Sequence, residues 1–357
     1  MVFPGDIPTA AIRVPAGFQI AGAMRTVQVR TFAERGRGSM IQVQGLTKRY
    51  GQTAAVDNLS FEVRPGRVTG FLGPNGSGKT TTMRMIMELD APDAGQARVG
   101  GRPYHELAWP LREVGALLDA KAFHPGRSAE RHLLALAQAN AIDRSRVAAV
   151  LDIVGLTSVA DKRAGAFSLG MGQRLGIAAP LLGDPGVLLF DEPINGLDPD
   201  GIRWVRNLVR GLAAEGRTVL LSSHLIGEMA LTADHLVVIG RGRLVAELSM
   251  AELQARTPQF VRVRTPEPER LAGVLREAGI ALTPQPDGSL SVTGADTDTV
   301  ADTAAANGIA LHELTPEHAS LEDVFMELIH DSIEYHASTP RGSASAAAAA
   351  THTRRTS

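Results

Sequence analysis

The sequence predicts an α/β fold in which an open sheet carries a phosphate-binding loop. Three short apolar runs, 67–72, 187–190 and 218–223, read as buried strands, each ending in a turn or in charged residues. The first leads through Gly73-Pro74-Asn75-Gly76-Ser77-Gly78-Lys79-Thr80-Thr81 into the helix-like stretch 82–87. Strand, glycine-rich turn and helix is the setting in which G-x-x-x-x-G-K-[ST] becomes a phosphate site. The other two runs end in Asp191-Glu192 and in His224, and open α/β sheets bind ligands at the carboxyl ends of their strands.

The loop is readable residue by residue. Its glycines let successive N–H groups turn inward and form an anion nest at a helix N-terminus. Lys79 is placed to reach the β- and γ-phosphates of a nucleotide, and the Thr80 hydroxyl to complete the coordination of Mg2+. At average residue usage the pattern arises by chance in a chain this long about one time in a hundred, so an idle glycine turn does not account for it.

Upstream, residues 1–39 hold Arg13, Arg25, Arg30, Arg35 and Arg37 against Asp6 and Glu34, without sustained periodicity. They read as a disordered extension, or as an over-long start with the true beginning at Met40; no clean apolar segment of a secretion signal is present. From Met40 onward, 41–46 and 59–63 alternate as strands, and Tyr50 between them is an aromatic available to stack on a purine.

Residues 111–165 switch to helical character, with apolar side chains at helical spacing in 131–137 and 147–154. Ser168 is a good N-cap for a helix through Leu182 whose open end suits a second anion, while Pro180 should kink or shorten it. The strand before Asp191 and Glu192 is expected to neighbour that of the loop. Adjacent acids on a strand face opposite ways and so should differ in role, one holding Mg2+ through water and the other polarising an attacking water. A turn at 195–199 and a helix over 199–215 follow.

Composition narrows the classes. The 357 residues suffice for two or three units, and a net charge of −2 with 4% aromatic residues argues against a nucleic-acid partner. The absence of cysteine excludes disulfides and thiolate chemistry. No apolar run approaches the ~20 residues of a bilayer crossing, so a membrane role needs a partner subunit.

Taken together and in order, the loop at 73–80, Ser168 to Arg174, Phe190-Asp191-Glu192-Pro193, Asn195 to Asp198 and His224 resemble the ATP-binding subunit of ABC transporters, from Met40 to about Ala246. The resemblance implies an α/β P-loop NTPase with an ABC-type helical subdomain and an antiparallel β subdomain, binding ATP and Mg2+. Tyr50 would stack on adenine, Asp191 would help hold the metal, Glu192 would be the general base and His224 the switch contacting the γ-phosphate. Ser168 and Gly170 would belong to the signature loop and Asp198 to the loop crossing a dimer interface. Two such domains, as a homodimer or heterodimer, would sandwich two ATP molecules head to tail.

Two departures stand out. Phe167-Ser168-Leu169-Gly170-Met171 occupies the place of the usual Leu-Ser-Gly-Gly-Gln, and Asp119 stands where a Gln normally senses Mg2+. Both forms resemble the branch of exporters linked to bacitracin-type and daunorubicin-type resistance.

Beyond Ala246 the resemblance thins. Strand-like 260–263, 289–292 and 309–311 and helix-like 267–278 and 320–329 predict a small C-terminal α/β accessory domain; the stretch from Ser338 onward is low in complexity and reads as disordered. The expected division is 1–39, 40–245, 246–330 and 331–357. The function this implies is ATP-driven efflux of a drug or antibiotic through a separate ABC-2-type permease at the cytoplasmic face of a bacterial membrane. One alternative is a soluble ABC ATPase acting on ribosomes or DNA, which usually has two tandem sites or a long coiled coil. Another is a non-hydrolysing regulatory module, against which the intact Lys79, Glu192 and His224 argue.

Overall fold

Alternating burial in the first strands decides which way the first sheet faces. In the computed structural model, which describes residues 40–256 and 259–318, β1 (Ile41–Tyr50) and β2 (Thr53–Val63) form a hairpin closing at Tyr50 and Thr53. Ile41, Val43 and Leu46 of β1 and Val56, Leu59, Phe61 and Val63 of β2 all point into one core. β3 (Arg67–Leu72) and α1 (Lys79–Ile86) come next, and β4 (Ala94–Val99) returns to pair with β1 in a three-stranded antiparallel sheet ordered β2-β1-β4. The segment 1–39, the helix expected over 320–329 and the tail lie outside the described residues.

The chain then alternates strands and helices. β5 (Val114–Leu117) precedes three helices, α2 (Ala129–Ala139), α3 (Ser145–Ile153) and α4 (Leu169–Leu181). After them come β6 (Val187–Phe190), α5 (Pro199–Ala214), β7 (Thr218–Ser223), α6 (Ile226–Thr232), β8 (His235–Gly240), β9 (Arg243–Ser249) and α7 (Met250–Arg256). The six-stranded sheet runs β5-β6-β7-β3-β8-β9, parallel except for the edge strand β9. Leu188, Phe190, Val219 and Leu221 pack under the helices, whereas Val187, Leu189 and Leu220 face the β1–β2 hairpin and α1. Covering on both faces is why these strands read as unbroken apolar runs.

The helical insertion packs closely on this sheet. A Cβ on Gly115 of β5 would lie 2.2 Å from the Pro180 carbonyl oxygen of α4, so only glycine lets the two backbones meet. Pro180 sits in the last turn of α4, which ends one residue later, so its missing N–H interrupts little of the helix.

Two expectations about the sheet need correction. The strands carrying the loop and Asp191 share a sheet but are not neighbours, because β7 lies between β3 and β6. The expected division at 245 falls inside β9. Leu248, Met250 and Leu253 are buried in the same core as β6 and β7, so this unit continues to Arg256.

The C-terminal unit has its own order: β10 (Gln259–Arg264), α8 (Pro268–Glu277), β11 (Ala281–Pro284), β12 (Leu290–Thr293), α9 (Thr297–Ala306) and β13 (Glu313–His318). All pairings are antiparallel in the order β11-β12-β10-β13, the ferredoxin-like split βαβ arrangement. Val261, Val263, Leu271, Leu275, Val292 and Val300 form a core of their own. The strand expected at 309–311 is absent. Gly308 is left-handed, and the Ile309 N–H donates to Ala304 O at 2.9 Å, so the buried Ile309 closes α9 in a Schellman-type stop.

Candidate active site

The site is built where the carboxyl ends of β6, β7 and β3 lie side by side. β3 delivers residues 73–78 into the N-terminus of α1, and the loop is clamped from behind. Gly78 has φ +104°, and a Cβ there would lie 2.4 Å from Ala55 O of β2. From the turn between β8 and β9, the Gly242 N–H donates to Ser77 O at 2.9 Å. No side chain caps α1, which leaves its first N–H groups to an anion.

Lys79 is 6% exposed and points into the loop. Its Nζ donates to Gly73 O at 2.6 Å and to Pro74 O at 3.3 Å, and lies 3.4 Å from Glu192 Oε1. The buried Ser77 hydroxyl and Glu192 Oε1 have no hydrogen-bond partner among the described residues. Buried polar atoms without partners are rare, and Glu192 Oε1, 3.4 Å from the buried ammonium, has capacity left to accept a hydrogen bond from a ligand or water.

The two carboxylates divide their partners. Asp191 Oδ2 accepts from the Thr80 hydroxyl at 2.6 Å, and Oδ1 accepts from the Ser222 hydroxyl. Glu192 instead faces Lys79, and its Oε2 lies 3.0 Å from His224 Nδ1. Strand alternation is not what separates them, because β6 ends at Phe190. Glu192 turns away through a left-handed backbone at φ +48°.

Ser222 was not anticipated from the sequence. It is fully buried, and besides donating to Asp191 its oxygen accepts from the Glu192 N–H at 2.9 Å. The available signal was a polar residue interrupting the buried strand 218–223, read only as an approach to His224.

Other anticipated residues cap helices instead of bonding to this cluster. Ser168 caps α4, its oxygen accepting from Met171 N at 3.3 Å, which puts Gly170 in the first turn. Asp198 caps α5 by accepting from Gly201 N at 2.8 Å. The buried Gln173 of α4 donates to Pro193 O at 2.6 Å, tying the Ser168 helix to the turn after Glu192.

Tyr50 and Asp119 also stay outside the hydrogen-bonded cluster. Tyr50 is half exposed; its hydroxyl donates to Asp90 Oδ2 at 3.2 Å and the Lys48 ammonium lies 5.6 Å from its ring. Asp119 turns back on its own loop, accepting from Lys121 N at 2.8 Å, and takes no part in the bonds around Asp191.

The residues present fit Mg2+ better than a fully protein-held metal. Among the described residues no three His, Cys, Asp or Glu side chains gather to hold an ion. Mg2+ keeps most of its waters and phosphate oxygens and takes only one or two protein ligands. Thr80 and Asp191, hard oxygen donors 2.6 Å apart, match that demand, and Asp119 does not join them.

Known proteins place this architecture. A family model described as "ABC transporter" matches residues 56–195, and one described as a domain of unknown function (DUF8746) matches 259–322, beginning where α7 has ended. The bacitracin transport ATP-binding protein of Bacillus licheniformis is 36% identical over 299 residues, covering 82% of this chain and 97% of that protein. The chain belongs to the ATP-binding subunits of ABC transporters.

The lantibiotic transport ATP-binding protein of Streptococcus pyogenes resembles this ABC subunit over 208 residues at 33% identity, 58% of this chain and 90% of that protein. The fold is shared with a solved dimeric ATP-binding cassette in a post-hydrolysis state bound to ADP and Pi. The TM-score is 0.54 at 23% identity, over 59% of this chain and 98% of that one. As an ABC ATP-binding subunit the protein binds and hydrolyses ATP.

Proposed function

We propose that this ATPase drives export of a peptide antibiotic or related drug through a separate ABC-2-type permease at the cytoplasmic face of a bacterial membrane. The relatives named for bacitracin and lantibiotic transport support that substrate class. No helix among the described residues is long and apolar enough to cross a membrane, consistent with a separate membrane-spanning partner. Nothing favours the ribosome- or DNA-acting alternative.

The observation that carries the mechanism is the bonded series Thr80–Asp191–Ser222–Glu192–His224 across three strand ends. The loop from Gly73 to Thr81, through the free N–H groups at the N-terminus of α1, and the Lys79 ammonium take the phosphates of ATP, with Lys79 exchanging the Gly73 and Pro74 carbonyls for phosphate oxygens. Thr80 and Asp191 would hold Mg2+, which neutralises charge on the β- and γ-phosphates.

Glu192 takes the proton of the attacking water, and His224 orients its carboxylate. Tyr50 lies on adenine. Ser168, Gly170 and Asp198 act on the nucleotide of a second copy or of a related subunit, which makes turnover dependent on pairing. Asp119 contributes as part of its loop rather than as a metal ligand.

The test is ATP turnover of the purified protein across concentration, wild type beside Glu192→Gln. Turnover should rise with concentration, and the variant should bind ATP yet hydrolyse it roughly 10²–10⁴-fold more slowly. Undiminished hydrolysis in the variant removes Glu192 from the role of base. Co-purification with RNA instead of a membrane protein would favour the soluble alternative.

A further inference from the structure

The geometry points to Ser222, at the end of β7, as a positioning residue that sets both carboxylates of the site at once. Its side chain is fully buried, and both hydrogen-bonding capacities of its hydroxyl are used within the site. A hydroxyl has a single hydrogen to donate. Here that hydrogen goes to Asp191 Oδ1, while the oxygen accepts from the Glu192 N–H at 2.9 Å.

The consequence for each acid differs. Thr80 already holds Asp191 Oδ2 at 2.6 Å, so the Ser222 bond to Oδ1 fixes the plane of that carboxylate from a second side. Glu192 has φ +48°, where residues other than glycine are uncommon and persist only when the surroundings hold them. Ser222 supplies such a hold by taking the Glu192 N–H. The left-handed turn then sets Oε1 towards Lys79 and Oε2 towards His224.

Sheet register explains why this residue and not its neighbour acts so. Phe190 pairs with Leu221 in the parallel β6–β7 ladder, so the next step brings Asp191 beside Ser222. The Ser223 hydroxyl stays in its own turn, accepting from Leu225 N at 3.0 Å. One serine hydroxyl bonds locally; the other bonds across to the strand carrying the acids.

The inference rests on the roles proposed above for Asp191 and Glu192, and the experiment separates the two. ATP binding to the full chain is measured by titration calorimetry with and without Mg2+, for wild type, Ser222→Ala, Ser222→Thr and Asp191→Asn, with thermal midpoints alongside. Ser222→Ala should bind ATP without Mg2+ as wild type does, and lose about tenfold of the affinity gained on adding Mg2+, the scale of a hydrogen bond to a charged group. Ser222→Thr, which keeps the hydroxyl, should restore that gain.

A full Mg2+ gain in Ser222→Ala overturns the inference. So does a parallel fall in Mg2+-free binding and thermal midpoint, which marks a merely structural serine, or a failure of Ser222→Thr to restore the gain. If Asp191→Asn also keeps the gain, the metal assignment fails and the inference falls with it. If Ser222→Ala alone keeps it, the assignment stands and only the inference is lost.

Discussion

The nucleotide unit, 40–256, with a largely parallel main sheet, and the C-terminal unit, 259–318, with an antiparallel one, both pack strands and helices around buried apolar residues, yet they place their polar groups differently. In the first, polar groups distant in sequence converge at the strand ends: the buried Ser222 on Asp191, the buried Lys79 beside Glu192, and the exposed Thr80 on Asp191. In the second, many bonds join near neighbours and have at least one partner exposed to solvent. Asp287 accepts from the Ser289 hydroxyl at 2.6 Å, Asp296 caps α9, and Arg270 pairs with Glu267 three residues away. Local surface bonds stabilise turns and helix ends. Convergent buried ones cost desolvation and ordering, and a fold retains them where a ligand completes them.

The sharpest way to break the comparison is to move its boundary. A chain ending at Arg256 should melt cooperatively and bind ATP, whereas one ending at residue 245 should not fold. The shorter chain lacks the end of β9 and the buried Leu248, Met250 and Leu253, where losing one large apolar side chain costs about 2–5 kcal/mol. ATP binding by the shorter chain would return the boundary to 245.

Next in size is a core substitution in each unit. Leu275→Ala should destabilise the C-terminal unit by about 2–5 kcal/mol and leave ATP affinity unchanged, while Leu189→Ala should cost as much and weaken ATP binding. Calorimetric scans showing a single transition shifted equally by either change would mean that the units fold together.

The smallest effect is in pH. Burial, with Arg127 nearby, holds the His132 imidazole below its usual pKa, so the unfolded chain takes up that proton first. The nucleotide unit should therefore lose stability as pH falls below about 6.5. The Ser289 hydroxyl and N–H, with Arg262, hold Asp287 at about 2, so its contribution is present above about pH 4 and disappears as pH falls towards 2. Thermal midpoints of wild type and His132→Gln between pH 7.5 and 5 check the first half; identical slopes would discard it. Asp287→Asn below pH 4 checks the second.

Where physics was local, the sequence was legible. Gly73 to Thr81 needed only strand, turn and helix in succession, and Ser168 is read as a cap from its own neighbourhood. What escaped depended on pairing between distant segments. Ser222 gains its meaning from the β6–β7 register, and β7 separates β3 from β6 because of a crossover that no local pattern encodes. Ile309 looked like the start of a strand because it is apolar and buried, but burial there serves the end of α9. α9 itself, Thr-Asp-Thr-Val-Ala-Asp-Thr-Ala-Ala-Ala, buries only Val300 and Ala304, too thin a stripe to announce a helix.

The contact between Gly115 and Pro180 has a mechanical meaning. Elements that slide past one another need a layer of side chains whose rotamers can change, and between β5 and α4 at this point there is none. A push on the strand leading to Asp119 is therefore a push on the helix that begins at Ser168. The Asp119 loop and the Ser168 cap are thus carried on two elements that meet backbone to backbone and move together.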